Sequence, residues 1–314
     1  MAKTYVKLCL TALFWGGAFI AGKYVSAHLG PYSIAFLRFA VAAALLLGLT
    51  RWKEGRWPRL NAIQIAAMAL LGATGIFAYN VMFFKGLRLI EAGRASLIIA
   101  TTPAFIALSS ALFLRERLGP IRIAGIFLSV AGAAVVVSRG HLQWGSGDVL
   151  GVGELLILGC VFSWVAYSLI GKAAMRTVSP LVAVTYSVVI GTAALFVAAC
   201  LEGLGANLSR ASFCDWLAIL YMAVFATVIG FVWFYEGVKR VGATRAGLLI
   251  NLVPIFAVLL AFLLLEEPLT ASLGVGAVMV VSGVYLTNQA SAPARPAATT
   301  PVGEVPGQRA PVRR

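Results

Sequence analysis

Charged residues are scarce in this sequence of 314 residues. They make up 11% of the chain, against about 25% in an average soluble domain. Hydrophobic residues make up 61%, and the mean hydropathy is +0.94. A soluble protein this apolar could not cover its surface, and a disordered chain this apolar would not stay dissolved in water. The composition therefore predicts an integral membrane protein.

Histidine and paired cysteine are also lacking. The two histidines, His28 and His141, are too few for a histidine-based metal cluster. The four cysteines show no C-x-x-C spacing, so we interpret them as inert thiols. No His, Asp, Glu and Cys cluster has catalytic spacing, which leaves a membrane-embedded enzyme as a remote alternative. We expect no metal site, no cofactor and no enzyme activity.

The basic residues do not form one basic face. The formal net charge is +14, but Lys and Arg lie between long uncharged stretches. Such scattered charges are typical of residues that face anionic lipid and orient membrane spans, so a nucleic-acid partner is not expected. The expected partners are the lipid bilayer and a small-molecule substrate, and whether protons are coupled to transport is left open. We expect a monomer, without excluding an oligomer.

Ten apolar segments are long enough to cross a bilayer, which takes about 20 helical residues. They are continuously apolar without alternation every second residue, which argues against a β-barrel. The segments are Leu8–Gly22, Tyr24–Thr50 (interrupted by Arg38), Leu60–Phe84, Ala95–Leu114, Ile123–Ser138, Leu155–Gly171, Thr177–Leu201, Trp216–Tyr235, Ala246–Leu265 and Thr270–Thr287. The predicted fold class is an all-α integral membrane protein with ten transmembrane helices.

The distribution of Lys and Arg predicts the orientation. If both termini are cytoplasmic, 18 of the 25 basic residues lie in cytoplasmic loops or the tail, six lie on the other side, and Arg38 lies within a span. Basic residues concentrate on the cytoplasmic side of membrane proteins. We therefore predict N-in and C-in topology, with a disordered, proline-rich cytoplasmic tail over residues 289–314.

The two halves of the chain match each other. Residues 95–114 align with residues 246–265 at an offset of 151 without a gap, and Pro103 falls on Pro254. At an offset of 149, Trp15 falls on Trp164 and Lys23 on Lys172. Each half holds five spans, so the second half must enter the membrane from the opposite side. The sequence predicts two inverted five-helix repeats, an arrangement typical of secondary transporters with a site at the repeat interface.

These matches carry a family resemblance. Phe14-Trp15-Gly16 lies in the first span and Leu37-Arg38-Phe39 in the second. The two prolines, the segments around Glu116 and Glu267, and the glycine pairs Gly125/Gly132 and Gly276/Gly283 follow in the same order in the two halves. The chain resembles the drug/metabolite transporter superfamily in its ten-helix EamA-type branch. The resemblance implies one EamA-like repeat over 5–140 and a second, inverted one over 150–288. It also implies a bacterial inner-membrane carrier, multi-pass, similar to exporters of amino acids, including aromatic ones.

Uncharged polar and aromatic residues are the candidates for a substrate cavity. A zwitterion needs a few hydrogen-bonding groups, and an apolar side chain needs ring surfaces. The alternative for each ring is packing or contact with lipid. The candidates are Trp15, Tyr79, Asn80, Phe83, Thr101, Thr102, Trp164, Tyr167, Trp233 and Asn251.

Four charged residues are candidates for gating or charge pairing: Arg38, Lys85, Glu154 and Glu236. Arg38 is expected within a span, where a charge is costly, so it either pairs with a neighbouring helix or binds a substrate carboxylate. Glu154 is a possible partner for Arg38. Glu154 and Glu236 are also the only candidates for a proton carrier, although neither is convincingly deep in the membrane.

Pro103 and Pro254 are predicted within helices, where each removes a backbone hydrogen bond. They are either static kinks or paired hinges of an alternating-access cycle. The sequence and the resemblance together predict a secondary transporter that exports small metabolites, chiefly amino acids with apolar or aromatic side chains, through a central cavity. A proton-coupled multidrug or quaternary-amine exporter is the alternative.

Overall fold

The computed structural model describes residues 2–55, 57–114, 118–138, 151–241, 246 and 249–289. These residues form helices, short turns and connections, without strands in the described ranges. Glu116 and nearly all of the predicted tail lie outside the described residues. The first half contains α1 (Ala2–Ser26), α2 (Pro31–Glu54), α3 (Ala62–Leu71), α4 (Tyr79–Leu89), α5 (Ala92–Ile99), α6 (Thr102–Leu114) and α7 (Pro120–Val137).

The second half contains α8 (Val152–Ala174), α9 (Pro180–Glu202), α10 (Leu204–Arg210), α11 (Phe213–Tyr221), α12 (Gly230–Val241), α13 (Val253–Leu265) and α14 (Ala271–Gln289). Nine helical stretches in the described ranges are long and apolar enough to span a membrane, and α13 is a shorter apolar helix. The prediction of an all-helical, multi-pass membrane protein is therefore confirmed. The short helix α10 was not predicted.

Two helices contain a segment of π-helix. Residues Gly72–Ala78 (π1) join α3 to α4, and Met222–Ile229 (π2) join α11 to α12. A π-helix shifts backbone hydrogen bonding from i→i−4 to i→i−5 and is frequent at functional sites. The first residue of π2 lies 150 positions after the first residue of π1, and its last residue lies 151 positions after the last residue of π1. The two segments therefore occupy equivalent places in the two halves of the chain.

A turn interrupts each of two further apolar segments. The chain turns at Ala100 and Thr101 between α5 and α6, and at Asn251 and Leu252 before α13. Pro103 and Pro254 are the second residues of the helices that follow these turns. A proline in the first turn of a helix needs no hydrogen bond from its nitrogen. The expectation of prolines in helix interiors was therefore wrong: each one begins a new half-helix.

Glycines allow α7 and α14 to lie close together. A Cβ atom at Gly125 would lie 2.7 Å from the backbone oxygen of Gly283, and one at Gly276 would lie 2.9 Å from that of Gly132. Small residues at such crossings bring backbones together where no hydrophobic effect drives helix association. The main buried cluster lies elsewhere, among α1, α2, π1, α4, α5, α8, α9, α11, π2 and α13, and several of its residues line the cavity described below.

Candidate functional site

One cavity of about 280 Å³ lies near the middle of the helices. We refer to the end where α1 begins as the proximal end and to the end where α1 stops as the distal end. Both halves of the chain contribute walls, through α1, α2, π1, α4 to α6, α8, α9, π2, α12 and the start of α13. The polar or aromatic lining residues are Trp15, Phe19, Arg38, Phe39, Tyr79, Asn80, Phe83, Ser96, Thr102, Trp164, Tyr167, Thr227, Phe231 and Asn251.

Most residues proposed for the cavity from sequence do line it. These are Trp15, Tyr79, Asn80, Phe83, Thr102, Trp164, Tyr167 and Asn251. Thr101 is buried in the adjacent turn, where its hydroxyl donates a 2.6 Å hydrogen bond to the Ile98 oxygen. Trp233 lies outside the lining, with its ring 5.9 Å from that of Phe14. That position favours a packing role for Trp233.

Aromatic rings form a continuous wall of the cavity. The ring centroid of Tyr79 lies 5.9 Å from that of Phe83 and 5.3 Å from that of Trp164, and Trp164 lies 5.0 Å from Tyr167. The Trp15 ring lies 5.6 Å from that of Phe231, and its indole nitrogen donates a 2.8 Å hydrogen bond to the oxygen of Ala226. Rings at these separations are in favourable contact and give a rigid apolar surface.

Among the described residues that line the cavity, Arg38 is the only one with an acidic, basic or histidine side chain. Its guanidinium donates hydrogen bonds to Thr227 Oγ1 from Nε (3.2 Å) and Nη2 (3.1 Å), and to Asn80 Oδ1 from Nη1 (3.3 Å). It also lies 5.0 Å from the ring centroid of Phe39. The suggested pairing of Arg38 with Glu154 was wrong, because Glu154 bonds to Arg94 instead.

The π segments orient both acceptors of the Arg38 guanidinium. The Asn80 side-chain nitrogen donates to the oxygens of Gly75 (3.3 Å) and Ile76 (2.9 Å) in π1. Thr227 Oγ1 donates a 2.9 Å hydrogen bond to the oxygen of Met222 in π2. These bonds point the amide and hydroxyl oxygens toward the guanidinium. Arg38 thereby connects α4 of the first half to π2 of the second half.

Charged groups cluster at the distal end, away from the cavity. Arg94 bonds Glu154 at 3.1 Å and Glu91 at 3.3 Å, and the Arg94 and Glu154 side chains are 8% and 9% exposed. Glu267 accepts hydrogen bonds from the backbone nitrogens of Ala92 (2.7 Å) and Gly93 (3.0 Å) at the start of α5. A carboxylate there satisfies free N–H groups and complements the helix dipole.

Two further charged candidates also have partners outside the cavity. Glu236 accepts a 2.8 Å hydrogen bond from Lys7 near the proximal end. This bond lowers the pKa of the Glu236 carboxyl, because it stabilises the ionised form. Lys85 donates a 3.1 Å hydrogen bond to the hydroxyl of Tyr32. None of Lys85, Glu154 and Glu236 lines the cavity.

Sequence reasoning missed several lining residues, among them Phe19, Ser96, Thr227 and Phe231. The internal repeat contained a signal for one of them. At the offset of 151, the predicted residue Asn80 corresponds to Phe231, and both line the cavity. The same offset relates Asn251 to Ala100, another lining residue. Extending each candidate to its repeat equivalent would have identified Phe231.

Comparisons with known proteins agree with this architecture. The model of the EamA-like transporter family matches residues 2–138 and again residues 151–289. The chain is 30% identical to the uncharacterized transporter YyaM of Bacillus subtilis over 280 residues, which is 89% of this chain and 92% of that protein. It is also 30% identical over 288 residues to an uncharacterized transporter of Archaeoglobus fulgidus, covering 91% and 97% of the two chains.

Another relative has a more specific name. The chain is 29% identical to a probable terminal-alkyne amino-acid exporter of Streptantibioticus cattleyicolor over 302 residues, covering 96% of this chain and 98% of that protein. The chain is also similar to a solved structure at 20% identity and a TM-score of 0.61. The match covers 91% of this chain and 96% of the chain in that structure, which supports the fold. By its two family matches and its relatives, the chain belongs to the EamA-like transporter family.

Proposed function

We propose that this protein exports small metabolites, chiefly amino acids with apolar or aromatic side chains, across the bacterial cytoplasmic membrane. The cavity between the two halves is the observation that supports this proposal. Its ring wall suits an apolar side chain, and its few polar groups suit the backbone groups of an amino acid. The amino-acid exporter among the relatives adds support for this substrate class.

The size of the cavity favours small substrates. Its volume of about 280 Å³ lies just below the range of about 300–1,000 Å³ that is usual for small-molecule sites. A single amino acid fits such a space, whereas a bulky drug would require it to expand. Size is therefore one reason to prefer a metabolite carrier over a multidrug exporter.

We further propose that transport proceeds by alternating access between two inverted repeats. The equivalent π segments and the two helices broken before Pro103 and Pro254 support this division of the chain. Discontinuous helices that meet at a central site are typical of secondary transporters with inverted repeats. The excess of basic residues in alternate loops supports cytoplasmic termini, and in that orientation the distal end faces the outside of the cell.

Proton coupling through Glu154 or Glu236 is less well supported. A proton carrier must bind and release its proton during the cycle, which requires a pKa near the working pH. Glu154 is held by Arg94, and the hydrogen bond from Lys7 lowers the pKa of Glu236. In vesicles, transport by Glu154→Gln and Glu236→Gln should keep the pH dependence of the parent protein. Loss of that dependence in either variant would identify the proton carrier and favour the alternative exporter.

Transport of a labelled amino-acid panel in reconstituted vesicles tests the substrate proposal. We expect saturable flux of aromatic or large apolar amino acids, and about tenfold weaker transport after Trp164→Ala, which removes part of the ring wall. Trp52→Ala is the matched control, because Trp52 is 79% exposed at the end of α2. Absence of flux for every amino acid would refute the substrate class.

A further inference from the structure

The charge of the cavity is unbalanced. Arg38 contributes a guanidinium that stays protonated in proteins, and every other described lining residue is uncharged at neutral pH. Arg38 lies seven residues into α2, about 10 Å from the start of that helix, where an unpaired charge is costly. The two groups that hold it, Thr227 and Asn80, are neutral and cannot cancel its charge.

The guanidinium also keeps hydrogen-bonding capacity. It has five N–H groups, and its hydrogen bonds to Thr227 and Asn80 use three of them. Because the oxygens of Thr227 and Asn80 are fixed by the π segments, the planar group is held in one orientation. A planar, pre-oriented guanidinium is well suited to a carboxylate, which it can bind through two parallel hydrogen bonds.

The starts of two half-helices add positive potential to the same cavity. The half-helices α6 and α13 begin at Thr102 and Val253, and both residues line the cavity. Each helix N-terminus has a partial positive charge and favours anions within about one turn. In transporters, the N-termini of half-helices point at anionic substrate groups. The last turn of α5 (Ile99 and Ala100) also lines the cavity and contributes the opposite partial charge, so the helix starts support Arg38 only in part and the guanidinium carries the preference for an anion.

We propose that this cavity selects its substrate by a carboxylate bound to Arg38 and does not require an ammonium group. This inference rests on the proposed transport function and defines the substrate class of the same site. The groups that a substrate ammonium could reach are all neutral, and Arg38 would repel it. Among the described lining residues these groups are the aromatic rings, the hydroxyls of Ser96, Thr102, Tyr79 and Tyr167, and the Asn251 amide. Monocarboxylates with an apolar tail, such as the deaminated counterparts of aromatic amino acids, therefore fit at least as well as the amino acids.

A direct consequence is that transport of such an anion moves net charge. An inside-negative membrane potential then drives the substrate out of the cell without a coupled proton. The potential contributes about 2.3 kcal/mol per 100 mV for one charge, which is an equilibrium gradient of about 50-fold. A zwitterionic amino acid on the same carrier would experience no such net force.

Three ligands that share a phenyl ring test the recognition step. Binding of 3-phenylpropionate, phenylalanine and 2-phenylethylamine is measured by tryptophan fluorescence of the full chain in detergent, since Trp15 and Trp164 line the cavity. We expect the carboxylate to bind at least as tightly as phenylalanine, and the amine at least tenfold more weakly than either. Equal binding of the amine, a tenfold preference for phenylalanine over the carboxylate, or no binding at all would overturn the inference.

This readout separates the inference from the proposed function. Carboxylate binding without flux of any amino acid would refute amino-acid export alone. Amino-acid flux together with equal binding of the amine would refute carboxylate selection alone.

Variants of Arg38 locate the carboxylate. Arg38→Gln should weaken 3-phenylpropionate binding at least tenfold, and Arg38→Lys, which keeps the charge but loses the fork, should lie in between. Arg51→Gln on the same helix is the matched control, because Arg51 is exposed at the end of α2. Unchanged binding in a folded Arg38→Gln protein would overturn the assignment. The three-ligand comparison tests the inference even if that variant fails to fold.

The charge movement is tested in vesicles with a potassium diffusion potential. At about 100 mV inside-negative, the protein-dependent equilibrium of 3-phenylpropionate should shift outward by about 50-fold, and that of phenylalanine should not shift. Protein-free vesicles give the leak to subtract. A carboxylate distribution that ignores the potential would show that a compensating ion moves with it, and would overturn proton-independent export.

Discussion

At the residue scale, Gly75 determines how far the ring wall extends into the cavity. A Cβ atom at this position would overlap Cδ2 of Tyr167 and lie 2.7 Å from its Cγ. Both residues line the cavity, and Tyr167 contacts Trp164. A side chain larger than hydrogen at residue 75 must therefore displace the Tyr167 ring.

We expect Gly75→Ala to reduce the space available to a bulky substrate. Crowding a packed site by one methyl group costs about 1–3 kcal/mol, so the apparent affinity for an aromatic substrate should fall about tenfold, with a smaller effect on alanine. The concentration dependence of uptake into vesicles measures the apparent affinities for the aromatic substrate and for alanine. Gly48→Ala is the control, because a Cβ atom there meets nothing within 4 Å. Equal losses for large and small substrates would contradict a steric effect.

At the element scale, the carboxylate of Glu267 holds the start of α5. Glu267 lies in the turn that follows α13, and its carboxylate accepts hydrogen bonds from the backbone nitrogens of Ala92 and Gly93. It therefore links the two broken helices at the distal end. Loss of a helix N-terminal partner costs about 0.5–2 kcal/mol. This contact joins residues 175 positions apart and is absent from any local pattern.

Glu267→Gln should lower thermal stability. The amide loses the charge that complements the helix dipole and can accept at only one atom, so we expect a loss of about 1 kcal/mol, or about 2 °C in the unfolding midpoint. The midpoint is measured in detergent by loss of monodisperse protein. Glu266→Gln is the matched control at the neighbouring position. An equal shift in both variants would refute a specific capping role.

Pro103 and Pro254 lie at the starts of two half-helices, and we expect them to affect transport more than stability. Because each proline occupies the first turn of its helix, alanine can be accommodated there without strain. Pro103→Ala and Pro254→Ala should therefore lower stability by no more than about 1 kcal/mol, because alanine mainly adds freedom to the unfolded chain. Transport should slow several-fold, because the residue before each half-helix is then free to become helical and the turn can be lost. Stability and turnover are measured together. Full turnover in both variants would indicate that the turns are static.

At the scale of the whole molecule, ion pairs lie at both ends of the cavity. Arg94 and Glu154 connect α5 to α8 at the distal end, and Lys7 and Glu236 connect α1 to α12 at the proximal end. The distal pair is the more buried one. In an alternating-access cycle, opening toward one end separates the groups that close it. Under the proposed alternating-access cycle, we expect each pair to stabilise the state in which its own end is closed.

Glu154→Gln should shift the protein toward opening at the distal end. Removing one partner of a buried ion pair costs about 3–5 kcal/mol in the state where the pair is formed. In a cysteine-free background, Ser96→Cys in the cavity should react faster with a membrane-impermeant thiol reagent added from the distal side. Lys7→Gln should favour opening at the proximal end instead, by a smaller amount because that pair is more exposed. If the protein with Ser96→Cys alone and its Glu154→Gln and Lys7→Gln variants were all labelled at the same rate, gating by these pairs would be refuted.

Much of the cavity was predictable because the internal repeat and the polar residues in apolar segments are visible locally. Asn80 and Asn251 stand out in apolar segments, and a buried amide needs a partner. The partner of Arg38 was not predictable, and Glu154 was the wrong choice. Thr227 reaches Arg38 from 189 residues away, through a π segment whose hydrogen bonding differs from that of an α-helix. Hydropathy does not distinguish these two kinds of helix.

The sequence by itself determined that this chain spans a membrane and that its fold is all-helical, because burial of about 20 apolar residues per span depends only on local composition. It also placed most of the cavity residues on the correct elements. The tertiary structure decided which charges are paired, where helices break, and that Arg38 faces a cavity between neutral partners. These features depend on contacts between residues far apart in the chain, and such contacts exist only after the helices pack together.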